Sequence, residues 1–164
     1  MYTLRRLTAE HAPALLAFET ANRAWFARTI PDRGDDYFTR FAQRHAAILA
    51  EQAAGLHHFH VVVGPAGEIA GRVNLVDVAD GSAELGYRIA ASAAGQGLAT
   101  AMVAQVCALA ANVYGLTGLT AVTTLDNLAS AAVLRRNGFT VDGPITLGDR
   151  PGERYVRDLV NPAE

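Results

Sequence analysis

The sequence predicts a mixed α/β fold built on one mostly antiparallel sheet with flanking helices, and three features carry that prediction. Segments that alternate like strands are interspersed with segments of helical periodicity, in the order β-α-α-β-β-β-α-β-α-β-β. Three strands follow one another with only turns between them, which is typical of an antiparallel meander. The third of these strands runs directly into a glycine-rich turn that opens a helix.

The N-terminal third is predicted to contain one strand and two helices. Tyr2 to Leu7 is apolar enough for the strand, and Thr8 offers an N-cap for the first helix, with Pro13 near its first turn. A proline and a glycine interrupt the chain at 30–34. Apolar residues at helical spacing then predict the second helix, from Phe38 to about Ala54. We expect the two helices to form a lid region.

The middle of the chain is predicted to form the meander. His58 to Val63 and Glu68 to Val76 have strand character and are joined by a turn at 64–67, which contains proline and two glycines. Ser82 to Ile89 forms the third strand, after the turn residues Asp80-Gly81.

The C-terminal half is predicted to supply two helices and three strands. The predicted segments are a long helix from Leu98 to about Tyr114, a strand over Leu119 to Thr124, a helix over Asn127 to Arg136 capped by Asp126 or Asn127, and strands over Phe139 to Asp142 and Arg154 to Leu159.

Length and composition narrow the class of protein. The 164 residues suit one domain, which we expect to span residues 1–164. No apolar run approaches the length that crosses a bilayer, and no apolar stretch follows the first charges as in a secretory signal, so we expect a cytoplasmic protein with no membrane partner. The single cysteine, Cys107, agrees with a reducing compartment. A net charge of −2 argues against a nucleic-acid surface and permits a basic peptide as substrate. The composition leaves open whether the protein forms a homodimer.

The turn after the third meander strand has the features of an anion site. Glycines at 95 and 97 allow conformations closed to other residues, and the first N–H groups of the helix have no partner inside it. The segment lacks the third glycine of a Rossmann fingerprint and the Gly-Lys-Ser/Thr of a P-loop. We therefore predict a pyrophosphate site made mainly by the main chain of Gly95, Gln96, Gly97, Leu98, Ala99 and Thr100.

A second segment makes this signal specific. From Thr123 a strand leads into a helix that opens with Asn127-x-x-Ser130, and a Gly138-Phe139 turn follows. With the turn Gly95-Gln-Gly97-Leu-Ala99, this segment resembles the Gcn5-related N-acetyltransferases, the GNAT family. The resemblance is strongest to the branch that acetylates ribosomal-protein N-termini at alanine or serine. It covers essentially the whole chain and is specific over 84–143.

Shorter matches to that branch are Glu84-Leu-Gly-Tyr87 and Asn22-Arg23.

Two positions depart from the family pattern. Ala94 stands where the family usually has glutamine or arginine, and Leu134 stands where many relatives carry the tyrosine that protonates the departing thiolate. The resemblance leaves Ser130 or solvent for that role.

The resemblance implies the acyl-CoA N-acyltransferase fold, in which two central strands splay apart. It implies acetyl-CoA as the acetyl donor, bound at the glycine-rich turn and along the pantetheine arm by the main chain of Ile89 and Ala91 and by Asn127 and Ser130. The acetyl group would pass directly to a primary amine, with a protein or peptide N-terminus as the first expectation. Aminoglycosides or polyamines are the alternative acceptors, and a non-catalytic acetyl-CoA sensor is the alternative class.

The amine must lose a proton before it attacks, and Glu84 is the first candidate for the base. Strand alternation places it on one face with Gly86 and Arg88. A cross-strand ion pair with a neighbour such as Arg72 is the structural alternative, and Glu19 and Glu153 are further candidate bases. Ser130 and Asn127 have an alternative as helix caps.

A metal is not expected. His58 and His60 share a strand face, but two ligands are too few for a site and no acid or thiol stands at motif spacing.

Overall fold

In the computed structural model, which describes residues 1–159, the strands form one seven-stranded sheet in the order β1-β2-β3-β4-β5-β7-β6. The strands are β1 Thr3–Arg6, β2 His58–Val63, β3 Ile69–Ala79, β4 Ser82–Ile89, β5 Gly118–Thr124, β6 Thr140–Leu147 and β7 Arg150–Asp158. The helices are α1 Ala12–Ala21, α2 Arg23–Ala27, α3 Asp35–Thr39, α4 Phe41–Ala53, α5 Leu98–Asn112 and α6 Leu128–Arg136. The last five residues of the predicted domain lie outside the described residues.

The mixed α/β architecture and the antiparallel meander β2-β3-β4 are confirmed. The main difference lies in the predicted lid, which has four short helices instead of two. Asn22 and Arg40 leave helical geometry, with φ/ψ of −106/10° and −108/20°, and so divide each predicted helix in two. Thr8 also precedes a 3-10 turn rather than α1 itself, although Pro13 does lie in the first turn of α1.

The two C-terminal strands are longer than predicted and form a hairpin. Their additional residues include Pro144 and Pro151, which disguise the strand pattern in the sequence. Pro144 is tolerated because β6 is the edge of the sheet, and Pro151 because it lies at the start of β7. Gly148, with a φ of 64°, lies in the tight turn between the two strands.

The sheet is buried on both faces. Val61 and Val62 are adjacent on β2 and both fully buried, yet they belong to two separate hydrophobic cores. One core packs α5 and α6 against the sheet, and the other packs the N-terminal helices against the opposite face. No helix among the described residues is long and apolar enough to cross a membrane.

The central strands β4 and β5 run parallel but pair only at their beginnings, from Ser82↔Gly118 to Glu84↔Thr120. Beyond Glu84, β4 continues to Ile89 paired only with β3, while β5 continues to Thr124 paired only with β7. The sheet therefore opens at its centre, as the resemblance implied.

Candidate active site

The opening between β4 and β5 forms a cleft of about 820 Å³. Its lining comes from β4 from Glu84 onward, from the unpaired part of β5, from two residues of β3, from the segment around α2, from α6 and from the β6–β7 turn. Glu84, Ile89, Asn127 and Ser130 all lie in this lining, so the fold brings together candidates that are up to 46 residues apart in sequence.

The main chain of β4 presents free groups to the cleft. Ala90 N donates to Ala70 O (2.8 Å), which makes this pair a hydrogen-bonded pair of the β3–β4 ladder. Because such pairs alternate along an antiparallel ladder, the N–H and C=O groups of Tyr87 and Ile89 point away from β3, toward the side where β5 has departed. Ile89 thus fits the predicted role of binding an extended arm through its main chain.

Ala91 fits that role less well. Its N–H donates to Asn22 Oδ1 (2.9 Å), and its carbonyl accepts from Ala94 N (3.3 Å). Asn22 Nδ2 also donates to Phe18 O (2.9 Å), so this asparagine ties the end of α1 to the end of β4. The structure therefore assigns the Ala91 main chain an internal partner where sequence reasoning predicted a ligand contact.

The glycine-rich turn has the geometry of an anion cradle. Gly95 and Gly97 have φ values of 74° and 77°, a region that strongly favours glycine. The first hydrogen bond of α5 runs from Ala101 N to Gly97 O (3.1 Å), so the N–H groups from Gly97 to Thr100 precede the helical ladder. Residues 94–97 are exposed, and a Cβ built on either glycine would meet no atom within 4 Å. The turn can therefore take a pyrophosphate on exposed main-chain N–H groups.

A pair of hydroxyl groups lies where α6 meets β4. Tyr87 Oη donates to Ser130 Oγ (3.3 Å), and burial raises the pKa of the tyrosine, which keeps its hydroxyl protonated. In the sequence, Tyr87 belongs to a segment that resembles the ribosomal-protein branch, and nothing in that segment indicates a role for its hydroxyl. The tyrosine that the family pattern places at Leu134 is missing from α6, and a phenol reaches this part of the cleft from β4 instead.

The capping alternative for α6 applies to Asn127 and not to the Ser130 side chain. Asn127 Oδ1 accepts from the main-chain N–H of Ser130 (3.2 Å), which is an N-cap interaction. The Ser130 hydroxyl has its bond with Tyr87 instead, and it is free to donate its own proton to a ligand.

Replacing Ser130 by alanine should lower turnover more than it raises the KM for acetyl-CoA. In the role that the resemblance implies, the hydroxyl stabilises a leaving thiolate, and the loss of one such bond should cost about 1 to 3 kcal/mol. The Asn127 cap uses the main chain and survives the change, so the melting temperature should hold. Steady-state kinetics and thermal melting of Ser130→Ala and Tyr87→Phe test this. A lower melting temperature with wild-type turnover would make Ser130 a purely structural residue.

Glu84 is a half-buried lining residue of the cleft, on the same strand face as Gly86 and Arg88. The predicted alternative was an ion pair with a neighbour such as Arg72, and Arg72 is not that partner: Glu84 lies opposite Val76, and Arg72 lies opposite Arg88 and contacts Glu19. Desolvation raises the pKa of the Glu84 carboxyl, the charge of Asp77 adds to that effect, and the charge of Arg154 partly offsets it. A carboxylate with a raised pKa inside a cleft is suited to accepting a proton.

The other two candidate bases have less suitable surroundings. Glu19 is 1% exposed, and its carboxylate is bound by Arg33 (2.8 Å), Arg88 (3.1 Å) and Arg72 (3.7 Å). Glu153 lies on β7 and does not contribute to the cleft lining. Glu84 is the carboxylate of the three that faces the cleft.

The histidines of β2 have structural partners. His60 Nδ1 donates to Val73 O (3.0 Å), and its Nε2 accepts from Tyr114 Oη (2.6 Å). Burial lowers the pKa of His60 to about 4, so the ring is neutral at pH 7. The described residues contain no group of three or more His, Cys, Asp or Glu side chains placed to hold a metal. Cys107 is 2% exposed, and burial raises the pKa of its thiol, which disfavours a thiolate nucleophile.

Comparison with known proteins places this geometry among acetyltransferases. The family model of the acetyltransferase (GNAT) domain matches residues 2–140 of this chain. The structure of a ribosomal-protein-S5-alanine acetyltransferase from Vibrio fischeri is similar, with a TM-score of 0.91 at 19% identity, over 96% of this chain and 93% of that one. A spermidine N-acetyltransferase from Vibrio cholerae, solved with CoA and spermine, has a TM-score of 0.80 at 16% identity, over 99% and 98% of the two chains.

A ribosomal L7/L12 α-N-protein acetyltransferase solved with coenzyme A has a TM-score of 0.82 at 24% identity, over 96% of this chain and 94% of that one. The search of curated proteins gave no match. The structural likenesses establish the fold, while the domain model covers most of the sequence. The splayed strands, the glycine-rich turn and the match over residues 2–140 lead to one conclusion: the chain belongs to the GNAT family of acetyltransferases and is an acetyl-CoA-dependent N-acetyltransferase.

Proposed function

We propose that the protein transfers acetyl from acetyl-CoA directly to the amine at a protein or peptide N-terminus. The observation that carries the proposal is the composition of the cleft: a carboxylate, Glu84, and a hydroxyl pair, Tyr87 and Ser130, line one space that also receives the free main chain of β4. Similarity to two ribosomal-protein acetyltransferases supports the choice of a protein N-terminus.

In the proposed binding mode, the N–H groups from Gly97 to Thr100 hold the pyrophosphate and the unpaired main chain of Tyr87 and Ile89 binds the pantetheine arm. These contacts are made by the main chain, so the side chains at those positions need no special chemistry. Arg135 and Arg136 lie in the last turn of α6, and their side chains are exposed. Positive charge at this end of a helix interacts favourably with the helix dipole.

In the proposed reaction, Glu84 takes a proton from the substrate ammonium, directly or through water, and the neutral amine attacks the thioester carbonyl. A carbon–nitrogen bond forms, the carbon–sulfur bond breaks, and the nitrogen loses its second proton to solvent to give the neutral amide. Main-chain N–H groups of β4 on the open side stabilise charge on the carbonyl oxygen. The Ser130 hydroxyl, polarised by the bond that it accepts from Tyr87, stabilises the departing thiolate, which takes its proton from this pair or from solvent.

The hydroxyl pair also bears on the alternative of a non-catalytic sensor. Leu134 favours that alternative, because the family's acid is missing from its usual position. Tyr87 supplies a neutral phenol at the same end of the cleft from a different strand, which supports catalysis.

Incubation of the protein with acetyl-CoA and a panel of amines, with release of free thiol as the readout, tests the proposed function. The panel contains peptides with a free N-terminus, the same peptides acetylated at the N-terminus, a polyamine and an aminoglycoside. We expect thiol release that depends on the free peptide N-terminus. Acetyl-CoA binding in calorimetry without thiol release from any acceptor would favour the sensor, and release with the polyamine or aminoglycoside alone would favour a small-molecule enzyme.

A further inference from the structure

Three arginines surround one buried glutamate at the end of the cleft that lies against α1 and α2. Glu19, on α1, is 1% exposed and binds the guanidinium groups of Arg33 (2.8 Å), Arg88 (3.1 Å) and Arg72 (3.7 Å). Arg33, Arg72 and Arg88 all line the cleft, whereas Glu19 does not. The three guanidinium groups therefore make this end of the cleft cationic, with Glu19 behind them, while the carboxylate of Glu84 lies further along β4 in the same lining.

The positive charge of this cluster is not balanced by its neighbours. Asp32 and Asp35, the nearby acids of the loop and of α3, both form ion pairs with Arg23 at 2.8 Å. One carboxylate against three guanidinium groups leaves a formal excess of two positive charges, from the three arginines and Glu19. The side chains of Arg72 and Arg88 are only 6% and 14% exposed, and charges held away from water are costly unless they are paired, so an anion in the cleft would stabilise the cluster.

The donors of the cluster are also incompletely used. The Arg72 side chain is 6% exposed, and its Nε is buried without a hydrogen-bond partner, while its Nη1 donates to Tyr37 Oη (3.2 Å). Such unpaired donors on a buried arginine are rare in folded proteins. Arg88 and Arg33 stack on the rings of Phe26 (4.5 Å) and Tyr37 (4.6 Å), which holds their planar groups in place beside the cleft.

The cluster lies close to the reacting groups along β4. Arg88 follows Gly86 by two residues on the strand face that also carries Glu84, a step of about 7 Å along a strand. An amine beside Glu84 or Gly86 therefore places the next one or two residues of a substrate within reach of Arg88. Guanidinium groups that are held in place beside the cleft can bind a carboxylate presented from such a residue through paired hydrogen bonds.

We propose that the acceptor is a primary amine that carries a carboxylate within about two residues of the amine, and that Arg33, Arg72 and Arg88 bind that carboxylate. This inference rests on the proposed acetyl transfer and narrows its substrate. It excludes polyamines, whose second ammonium group would meet the cationic cluster. The net charge of the chain permits a basic peptide as substrate, whereas this proposal requires an acceptor that carries a negative charge.

Matched acceptors test the proposal. Tetrapeptide amides that differ only in Asp, Asn or Lys at the second position probe a peptide side chain, and alanine against alaninamide probes the carboxylate of a free amino acid. Spermidine serves as the polycation. Thiol release should give kcat/KM for the Asp peptide about ten- to hundredfold above that for the Asn peptide, and lowest values for Lys and spermidine.

The variants are Arg33→Gln and Arg88→Gln, with Arg5→Gln as the control for the loss of a positive charge. Glu19 keeps two arginine partners in each test variant, and Arg5 is exposed on the edge strand β1. Each test variant should raise the KM of the Asp peptide about ten- to hundredfold and leave that of the Asn peptide nearly unchanged. Arg88→Lys should recover part of the loss, and Arg5→Gln should change nothing.

Calorimetric titration of the Asp and Asn peptides into protein saturated with coenzyme A separates the two proposals. If no amine releases thiol but the Asp peptide still binds more tightly, and Arg88→Gln removes that preference, the proposed reaction fails and the carboxylate site stands. If amines are acetylated with equal efficiency whatever their charge, or if the preference survives in both variants, the carboxylate site is overturned and acetyl transfer stands. A preference for alanine over alaninamide without one for Asp over Asn would assign the carboxylate to a free amino acid.

Discussion

Replacing Gly97 by valine should abolish measurable binding of acetyl-CoA while the protein remains folded. Gly97 has a φ of 77° and is the N-cap of α5, so a β-branched residue there forces the turn out of the conformation that presents its N–H groups. No lysine stands in residues 94–100 to bind the pyrophosphate by charge. Loss of two such hydrogen bonds to an anion is worth at least about 3 kcal/mol, or more than a hundredfold in affinity. Isothermal titration calorimetry measures this loss.

Gly115 provides a matched control for backbone strain. It follows the end of α5 with a φ of 67°, and like Gly97 it would place a Cβ in open space. Gly115→Val should therefore cost similar stability, yet leave the affinity for acetyl-CoA unchanged, because the site lies at the other end of the helix. Unchanged affinity in folded Gly97→Val, or equal losses in both variants, would remove the assignment of the turn as the pyrophosphate site.

Replacing Glu84 by glutamine should reduce turnover by about a hundredfold or more in the neutral range, which is the usual contribution of a general base. The carboxylate works as a base only when ionised, so the wild-type rate should fall as the pH drops through the raised pKa of Glu84. An N-terminal amine has a pKa of about 8, and above that pH most of it is neutral without help. The deficit of the variant should therefore be largest between these two pKa values and shrink as the pH rises toward 8 and beyond.

The stability of this variant distinguishes catalysis from a structural role. Burial raises the pKa of Glu84 in the folded state, so protonation of this carboxyl stabilises the fold at low pH, and that contribution is lost as the pH rises through the folded pKa. A neutral glutamine should consequently not lower the melting temperature at pH 7. Glu153→Gln, which removes a carboxylate outside the cleft lining, is the control and should keep wild-type turnover. A pH–rate profile of Glu84→Gln that runs parallel to wild type would exclude Glu84 as the base.

Local patterns were sufficient for much of the fold. The three strands of the meander and α5 and α6 lie close to their predicted positions, because apolar periodicity and turn residues are properties of neighbouring positions. The errors occur where the local signal is misleading or missing. Prolines concealed the length of the C-terminal hairpin, and the breaks at Asn22 and Arg40 have no proline or glycine to mark them.

The residues that sequence reasoning missed at the site depend on contacts between distant segments. Tyr87 faces Ser130 only because β4 and α6 border the same opening, and the segment Glu84-Leu-Gly-Tyr87 contained no signal for that contact. The Ala91 main chain was predicted to bind the pantetheine arm, and the partner of its N–H, Asn22, lies between α1 and α2, 69 residues away in sequence. The first pairing depends on how α6 packs beside β4, and the second on how α1 packs against the sheet.

The sequence by itself determined the fold class, the family resemblance and the glycine-rich turn, because a strand, a turn and a helix start are continuous in the chain and their chemistry is mainly that of the backbone. Only the tertiary structure shows that Glu84 lines the cleft whereas Glu19 and Glu153 do not, that Tyr87 pairs with Ser130, and that three arginines line one end of the cleft. A net charge of −2 sums over the whole surface, whereas the charge in a cleft depends on which side chains the fold places there. Arg33, Arg72 and Arg88 converge on Glu19 from separate segments, and no spacing in the sequence indicates that they meet.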